Sequence, residues 1–207
     1  MKGLFISFEG ADGSGKSTQI KRVADRLIDS GYDVVQTREP GGTQVAEKVR
    51  SMVLDSSLPL NTNTEVLLYL AARSEHIEKI ILPALKQGKI VLSDRFSDST
   101  MVYQGLANGL SYDELKKLQS LNAFACQGLQ PHLTILLDGD TDKLLSRRTQ
   151  RGISDKYEDY GLEYQRLIRR GFLTLAEHEP ERIKIINACR EEKAVENEII
   201  EAISRLL

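Results

Sequence analysis

Cysteine is scarce. Cys126 and Cys189 are the only two in 207 residues. Two thiols in a chain of this length do not make a disulfide framework, so both read as reduced, partly buried residues. Histidine is equally sparse, with His76, His132 and His178 far apart and no zinc-ligand spacing around the cysteines, so no histidine-based metal site is expected. An excess of either charge is missing too. Lys plus Arg is 28, Asp plus Glu is 30, and the formal charge is −2, which gives no global signal for nucleic acid or an acidic membrane. No repeat, low-complexity tract or linker interrupts the chain. The apolar N-terminal run Leu4 to Phe8 stops at Glu9, too soon for a signal peptide or a membrane span. These absences lead to an expected place in the reducing cytoplasm, with neither nucleic acid nor membrane as partner.

What is present suits one soluble domain over residues 1–207, with 41% hydrophobic and 28% charged residues. Short apolar runs alternate with amphipathic stretches. Leu4–Phe8, Val34–Val35, Ile90–Leu92, Leu133–Leu137 and Ile183–Ile186 read as five strands. Helical spacing follows Lys16 as far as Gly31 and covers Val45 to Val53. A long helix runs from caps at Thr62 or Thr64 to Leu85, shortened or kinked by Pro83. Further helices are expected over Ser97–Leu106, Ser111–Ala125, Asp142–Arg148, Glu163–Ala176 and Glu192–Leu206. Strands separated by helices imply an α/β fold, a five-stranded parallel sheet flanked by helices and joined by right-handed crossovers. Ligands of such sheets bind beyond the carboxyl ends of the strands.

The first strand runs into Gly10-Ala11-Asp12-Gly13-Ser14-Gly15-Lys16-Ser17, the spacing of a triphosphate-binding loop between a strand and a helix. Glycines let successive N–H groups turn inward around anionic oxygens, and the helix N-terminus adds partial positive charge. Lys16 is a flexible cation for the outer phosphates, and Ser17 offers a hydroxyl to Mg²⁺. The loop alone does not separate a kinase from a GTPase switch or a motor ATPase.

Three other segments sit at strand ends. In Thr37-Arg38-Glu39-Pro40-Gly41-Gly42-Thr43, Arg38 is either a fixed fork for an anion or a solvated turn residue. Asp94 ends an apolar strand and needs a partner, either Mg²⁺ through water or a nearby cation. Arg95 beside it either holds a second phosphate or pairs with Asp94. On the long helix, Tyr69 and Arg73 share a face at a spacing of four. That suits stacking a base and bonding its edge, or simply a core Tyr beside a surface Arg. Arg147, Arg148 and Arg151 lead into a polar stretch and are either a closing lid over a triphosphate or a solvated helix end.

Together these segments resemble the thymidylate kinases over nearly the whole chain. The resemblance rests on Phe8 to Thr18, Thr37 to Thr43, Ala71-Ala72-Arg73, and Asp94-Arg95-Phe96 followed by Ser99, Tyr103, Gln104 and Gly105. It implies a P-loop nucleoside monophosphate kinase fold with a short lid near residues 147–160. The implied reaction phosphorylates dTMP to dTDP with Mg·ATP, for dTTP synthesis, in a homodimer. By the same resemblance, Gly10, Ala11, Asp12, Gly13, Ser14, Gly15, Lys16, Ser17 and Thr18 hold ATP. Asp12 also meets the deoxyribose 3′-hydroxyl. Arg38 and Arg95 grip the dTMP phosphate, Tyr69 stacks on thymine, and Arg73 reads a thymine oxygen. Thr100 meets the base edge and Tyr103 crowds the 2′ position, with Ser99 and Gln104 beside them. Ser17 and Asp94 serve the metal, and Lys16, Arg95, Arg148 and Arg151 carry the catalytic charge.

Gly13 leaves the loop without an arginine of its own. The transition-state charge then falls to the lid, to Arg151 first and Arg148 second, as in the bacterial lid-arginine type. Two positions depart from the family pattern: Lys156 stands where Arg is common, and Tyr69 where Phe is common. The adenine pocket is expected near Asn187-Ala188-Cys189 and the arginine helix. The rival readings are another nucleoside monophosphate kinase and a regulatory P-loop NTPase. Arg38-Glu39-Pro40-Gly41-Gly42 and the spacing of Tyr69, Arg73 and Thr100 argue against the first. The lack of an Asn-Lys-x-Asp guanine reader argues against a GTPase switch.

Overall fold

The computed structural model describes residues 3–149 and 161–207. Five parallel strands form one sheet: β1 (Leu4–Glu9), β2 (Val34–Arg38), β3 (Ile90–Asp94), β4 (Leu133–Asp138) and β5 (Ile183–Asn187), in the order β2-β3-β1-β4-β5. All six residues of β1 are buried, as are the apolar runs of β3 and β4. Burial on both faces explains why these strands read as unbroken hydrophobic runs. Side chains still alternate across the sheet. Leu4, Ile6 and Phe8 join one core with Ile20, Val23, Ala24 and Leu27 of α1 (Lys16–Asp29). Phe5 and Val91 join another with Ile77, Ile81 and Phe96.

The register decides where the site falls. Phe8 and Arg38 both align with Asp94, so the carboxyl ends of β1, β2 and β3 are level. The loops after them open onto one crevice.

The long helix differs from its expected form at both ends. Its N-cap is Asn61, whose Oδ1 accepts from Thr64 N at 2.9 Å, rather than Thr62 or Thr64. It divides into α3 (Thr62–His76), a widened π turn (Ile77–Ile81) and α4 (Leu82–Lys86). Pro83 has no N–H to give to Lys79 and its ring crowds that carbonyl. The turn before it opens instead, with Leu82 N bonding back to Ile77 O. The expected Ser97–Leu106 helix is likewise broken into α5 (Ser97–Thr100), a π turn (Met101–Gly105) and a 3₁₀ turn (Leu106–Asn108). The remaining helices are α2 (Gln44–Leu54), α6 (Tyr112–Ala125), α7 (Thr141–Thr149), α8 (Gly161–His178) and α9 (Glu192–Ser204). α6 starts from a capping box of Ser111 and Glu114. Both cysteines are free thiols. Among the described residues, no helix is long and apolar enough to cross a membrane.

Candidate active site

The loop after β1 has the geometry its sequence predicts. Gly10 lies at φ +136°, and a Cβ there would strike the Leu137 carbonyl oxygen. Only glycine allows this approach of β1 to β4. Gly15 caps α1 in the left-handed region at φ 90° with no side-chain cap, leaving the first N–H groups of the helix for a ligand. Lys16 Nζ donates to the carbonyls of Gly10 and Ala11, both at 3.1 Å. Burial, then the nearby Arg95 guanidinium, pull its ammonium down to about 8. A bound polyphosphate would reverse that tendency. Ser17 Oγ donates to Asp94 Oδ2 at 2.9 Å, so a hydroxyl and a carboxylate meet at the mouth of the loop.

Two joined cavities lie beyond the level strand ends. The larger, about 820 Å³, is lined by Lys16, Ser17, Arg38, Glu47, Asp94 and Arg95. The smaller, about 130 Å³, takes in Asp12, Tyr69, Arg73, Arg95, Ser99, Thr100, Tyr103 and Gln104. Asp12, Glu39, Arg50 and Arg95 border both. Nearly all the expected monophosphate residues are thus gathered in one place. Arg38 is the exception. It lines only the larger cavity, is half-exposed, and its Nη2 bonds both Glu47 oxygens at 2.9 and 3.1 Å.

Arg73 is 3% exposed, which rules out a surface arginine. Its Nε donates to Glu39 Oε2 at 2.8 Å. Nη1 donates to Thr100 Oγ1 at 3.0 Å and Asn122 Oδ1 at 2.6 Å, and Nη2 to Phe96 O at 3.1 Å. Four of its five N–H groups have acceptors among the described residues, and one Nη2–H is left for a ligand. Burial would raise the Glu39 carboxyl, but Arg73 and His76 outweigh it and hold it below its ordinary value. His76, fully buried, links Glu39 Oε1 at 2.9 Å to Thr37 Oγ1 at 2.6 Å.

Arg95 is not paired with Asp94. Its Nη2 donates to Asp12 Oδ1 and to Tyr103 OH at 3.0 Å; its Nη1 donates to Gly10 O and Ser99 Oγ, both at 3.1 Å. Its backbone is left-handed at φ 72°, a conformation that non-glycine residues adopt at a cost and keep where their surroundings impose it. Burial keeps the Tyr103 phenol protonated by raising it far above its usual value.

Sequence reasoning missed Glu9, Arg50, His76 and Asn122. Arg50 donates to Pro40 O at 3.0 Å and lines both cavities; burial and Arg38 lower its guanidinium. A third cavity, about 440 Å³, lies across the loop and is lined by Thr18, Gln19, Arg147, Ala188, Arg190 and Glu192. Arg147 Nη1 donates to Ala188 O at 2.8 Å, so this arginine faces that side. Of the three residues expected near adenine, Ala188 lines this cavity, whereas Asn187 and Cys189 do not. Arg151 and residues 150–160 of the expected lid lie outside the described residues, as does the side chain of Arg148.

A phosphate loop on the central strand of this sheet, with a second, arginine-lined cavity at its mouth, defines a P-loop nucleoside monophosphate kinase fold. A sequence model of the family described as Thymidylate kinase matches residues 8–199. The thymidylate kinase of Symbiobacterium thermophilum is 44% identical over 99% of this chain and 94% of its own length. That of Pelotomaculum thermopropionicum is 43% identical over 100% and 95%. The crystal structure of thymidylate kinase from Ehrlichia chaffeensis superposes with a TM-score of 0.80 at 34% identity, covering 99% of both chains. The chain belongs to the thymidylate kinase family.

Proposed function

We propose that the joined cavities seat the two substrates of a dTMP kinase, with the ATP phosphates along Gly10 to Thr18 and dTMP between Tyr69, Arg73 and Arg95. An oxygen of the dTMP phosphate attacks the γ-phosphorus of ATP. The bond to the ADP oxygen breaks, and dTDP and ADP form. The nucleophile is already an anion, so no strong general base is needed; the work is positioning two anions and neutralising their charge. Arg38, Arg50 and Arg95 face the acceptor phosphate. Lys16 meets the outer phosphates of ATP. Asp12 turns toward the deoxyribose 3′-hydroxyl. The charge on the transferred group is assigned to Arg151 first and Arg148 second.

Ser17 and Asp94 fit Mg²⁺: both are hard oxygen donors, 2.9 Å apart and beside the loop. They would hold the ion, which supplies charge neutralisation on the β- and γ-phosphates. The single observation carrying the thymine assignment is the one remaining N–H of buried Arg73, beside Thr100 and Tyr69. It suits a carbonyl oxygen on the base edge. Pairing between copies is supported by α3 and α6, which leave Leu67, Leu121 and Phe124 at 56%, 44% and 84% exposure. Leu70 and Ile77 of the same helical stretch are core residues. Two free thiols and near-neutral charge fit a cytoplasmic enzyme that binds neither nucleic acid nor membrane.

The test is ADP release from Mg·ATP with a panel of monophosphates. Rapid release with dTMP, weak release with dUMP and little with AMP or CMP is expected. Equal rates with every pyrimidine monophosphate would sink the thymine assignment.

A further inference from the structure

Glu9 is the last residue of β1, fully buried and directly before the phosphate loop. Nothing in the mechanism above uses it. Among the described residues it forms no ion pair. Its Oε1 accepts from Phe96 N at 2.8 Å and its Oε2 from Ser99 Oγ at 2.6 Å. A buried carboxylate without a cation is a costly choice where an apolar residue would fill the same space.

The geometry gives that carboxylate a task. Ser99 has one hydroxyl proton, and Glu9 takes it. Only lone pairs are then left on Ser99 Oγ, and Arg95 Nη1 donates to one of them at 3.1 Å. The carboxylate thus fixes Ser99 as an acceptor, and Ser99 holds one corner of the guanidinium. Glu9 also ties down Phe96 N, the residue after the left-handed Arg95. Both ends of the Arg95 residue, backbone and fork, therefore lead back to Glu9.

We propose that Glu9 is a positioning residue for the acceptor site: through Ser99 and Phe96 it fixes Arg95 where that side chain meets the phosphate of the bound monophosphate. This rests on the kinase reading above and adds a specific cause for the pose of Arg95. Holding that carboxylate here has a cost. Burial first, then Asp98, push it up to about 7 against the pull of Arg95, Ser99 and Phe96. The fold keeps a group whose charge it disfavours.

The test is steady-state kinetics with each substrate varied, on the wild type, Glu9→Gln, Ser99→Ala and the double variant. Glu9→Gln retains an acceptor for Phe96 but sets an amide donor against Ser99 Oγ, which must then turn. Each single change should raise KM for dTMP by about tenfold or more, the scale of a lost charge-assisted hydrogen bond, and leave KM for ATP unchanged. The double variant should be no worse than the worse single, because both break one chain. An unchanged KM for dTMP in Glu9→Gln, parallel shifts in both KM values, or additive effects would each overturn the proposal. Should Glu9→Gln not fold, Glu9→Asp, which withdraws the carboxylate by one methylene, is read the same way. If the wild type instead prefers another monophosphate, the thymine assignment fails while the relay is still tested with that substrate, whose phosphate Arg95 would equally meet.

Discussion

Arg73 directs most of its guanidinium at the protein, which suits the base-reading role proposed for it. Glu39, Thr100, Asn122 and Phe96 hold the fork rigid, so the remaining N–H points one way. Removing it leaves Glu39 buried beside His76. Arg73→Ala should therefore cost about 3–5 kcal/mol, and Arg73→Ala with Glu39→Gln should recover much of that without recovering dTMP binding; chemical denaturation measures both. Glu9 sets a second prediction. Its carboxyl is raised to about 7 by burial and Asp98, against Arg95, so the folded state favours the protonated form. Stability from this group is present below its unfolded value of 4.5 and lost as pH rises through about 7. Relative to Glu9→Gln, the wild type should lose up to about 3 kcal/mol over that window. A flat difference between the two proteins would refute the raised value. The sequence made Tyr69 and Arg73 visible through their spacing of four. It hid Asn122, His76 and Glu9, because Arg73, Glu39 and Ser99, the site residues they bond, lie 37 to 90 residues away along the chain and no local pattern marks them.

At the scale of elements, the turn from β1 into α1 is the proposed seat of the ATP phosphates. Gly10 must adopt φ +136° against the Leu137 carbonyl. Gly10→Ala should lose about 1–3 kcal/mol from backbone strain alone, more from the clash, and should weaken ATP binding measured by calorimetry. Wild-type stability and affinity in that variant would contradict the geometry. The strands were legible because burial on both faces writes a plain apolar run. The helix breaks at Ile77–Ile81 and Met101–Gly105 were not, because a π turn inserts into an apolar pattern without erasing it. Pro83 signalled a disturbance, but the widened turn lies before the proline rather than at it.

Across the whole molecule, parallel strands and helical crossovers were legible, but the order β2-β3-β1-β4-β5 was not, since hydropathy does not say which strands are neighbours. That order, with the aligned ends of β1, β2 and β3, is what joins the two cavities. The exposed Phe124 sets the prediction for assembly. Phe124→Glu should shift the sedimentation mass from two chains to one; an unchanged mass would place any pairing elsewhere. In the proposed site a donor on Arg73 reads a carbonyl on the base. Thymine presents O4 at the position where cytosine presents an amino group, and donor set against donor leaves both buried groups unpaired. The most direct measurement is the ratio of kcat/KM for dTMP and dCMP in the wild-type protein. A preference for dTMP of about 10⁴ is expected, and a ratio near one would contradict base reading by Arg73.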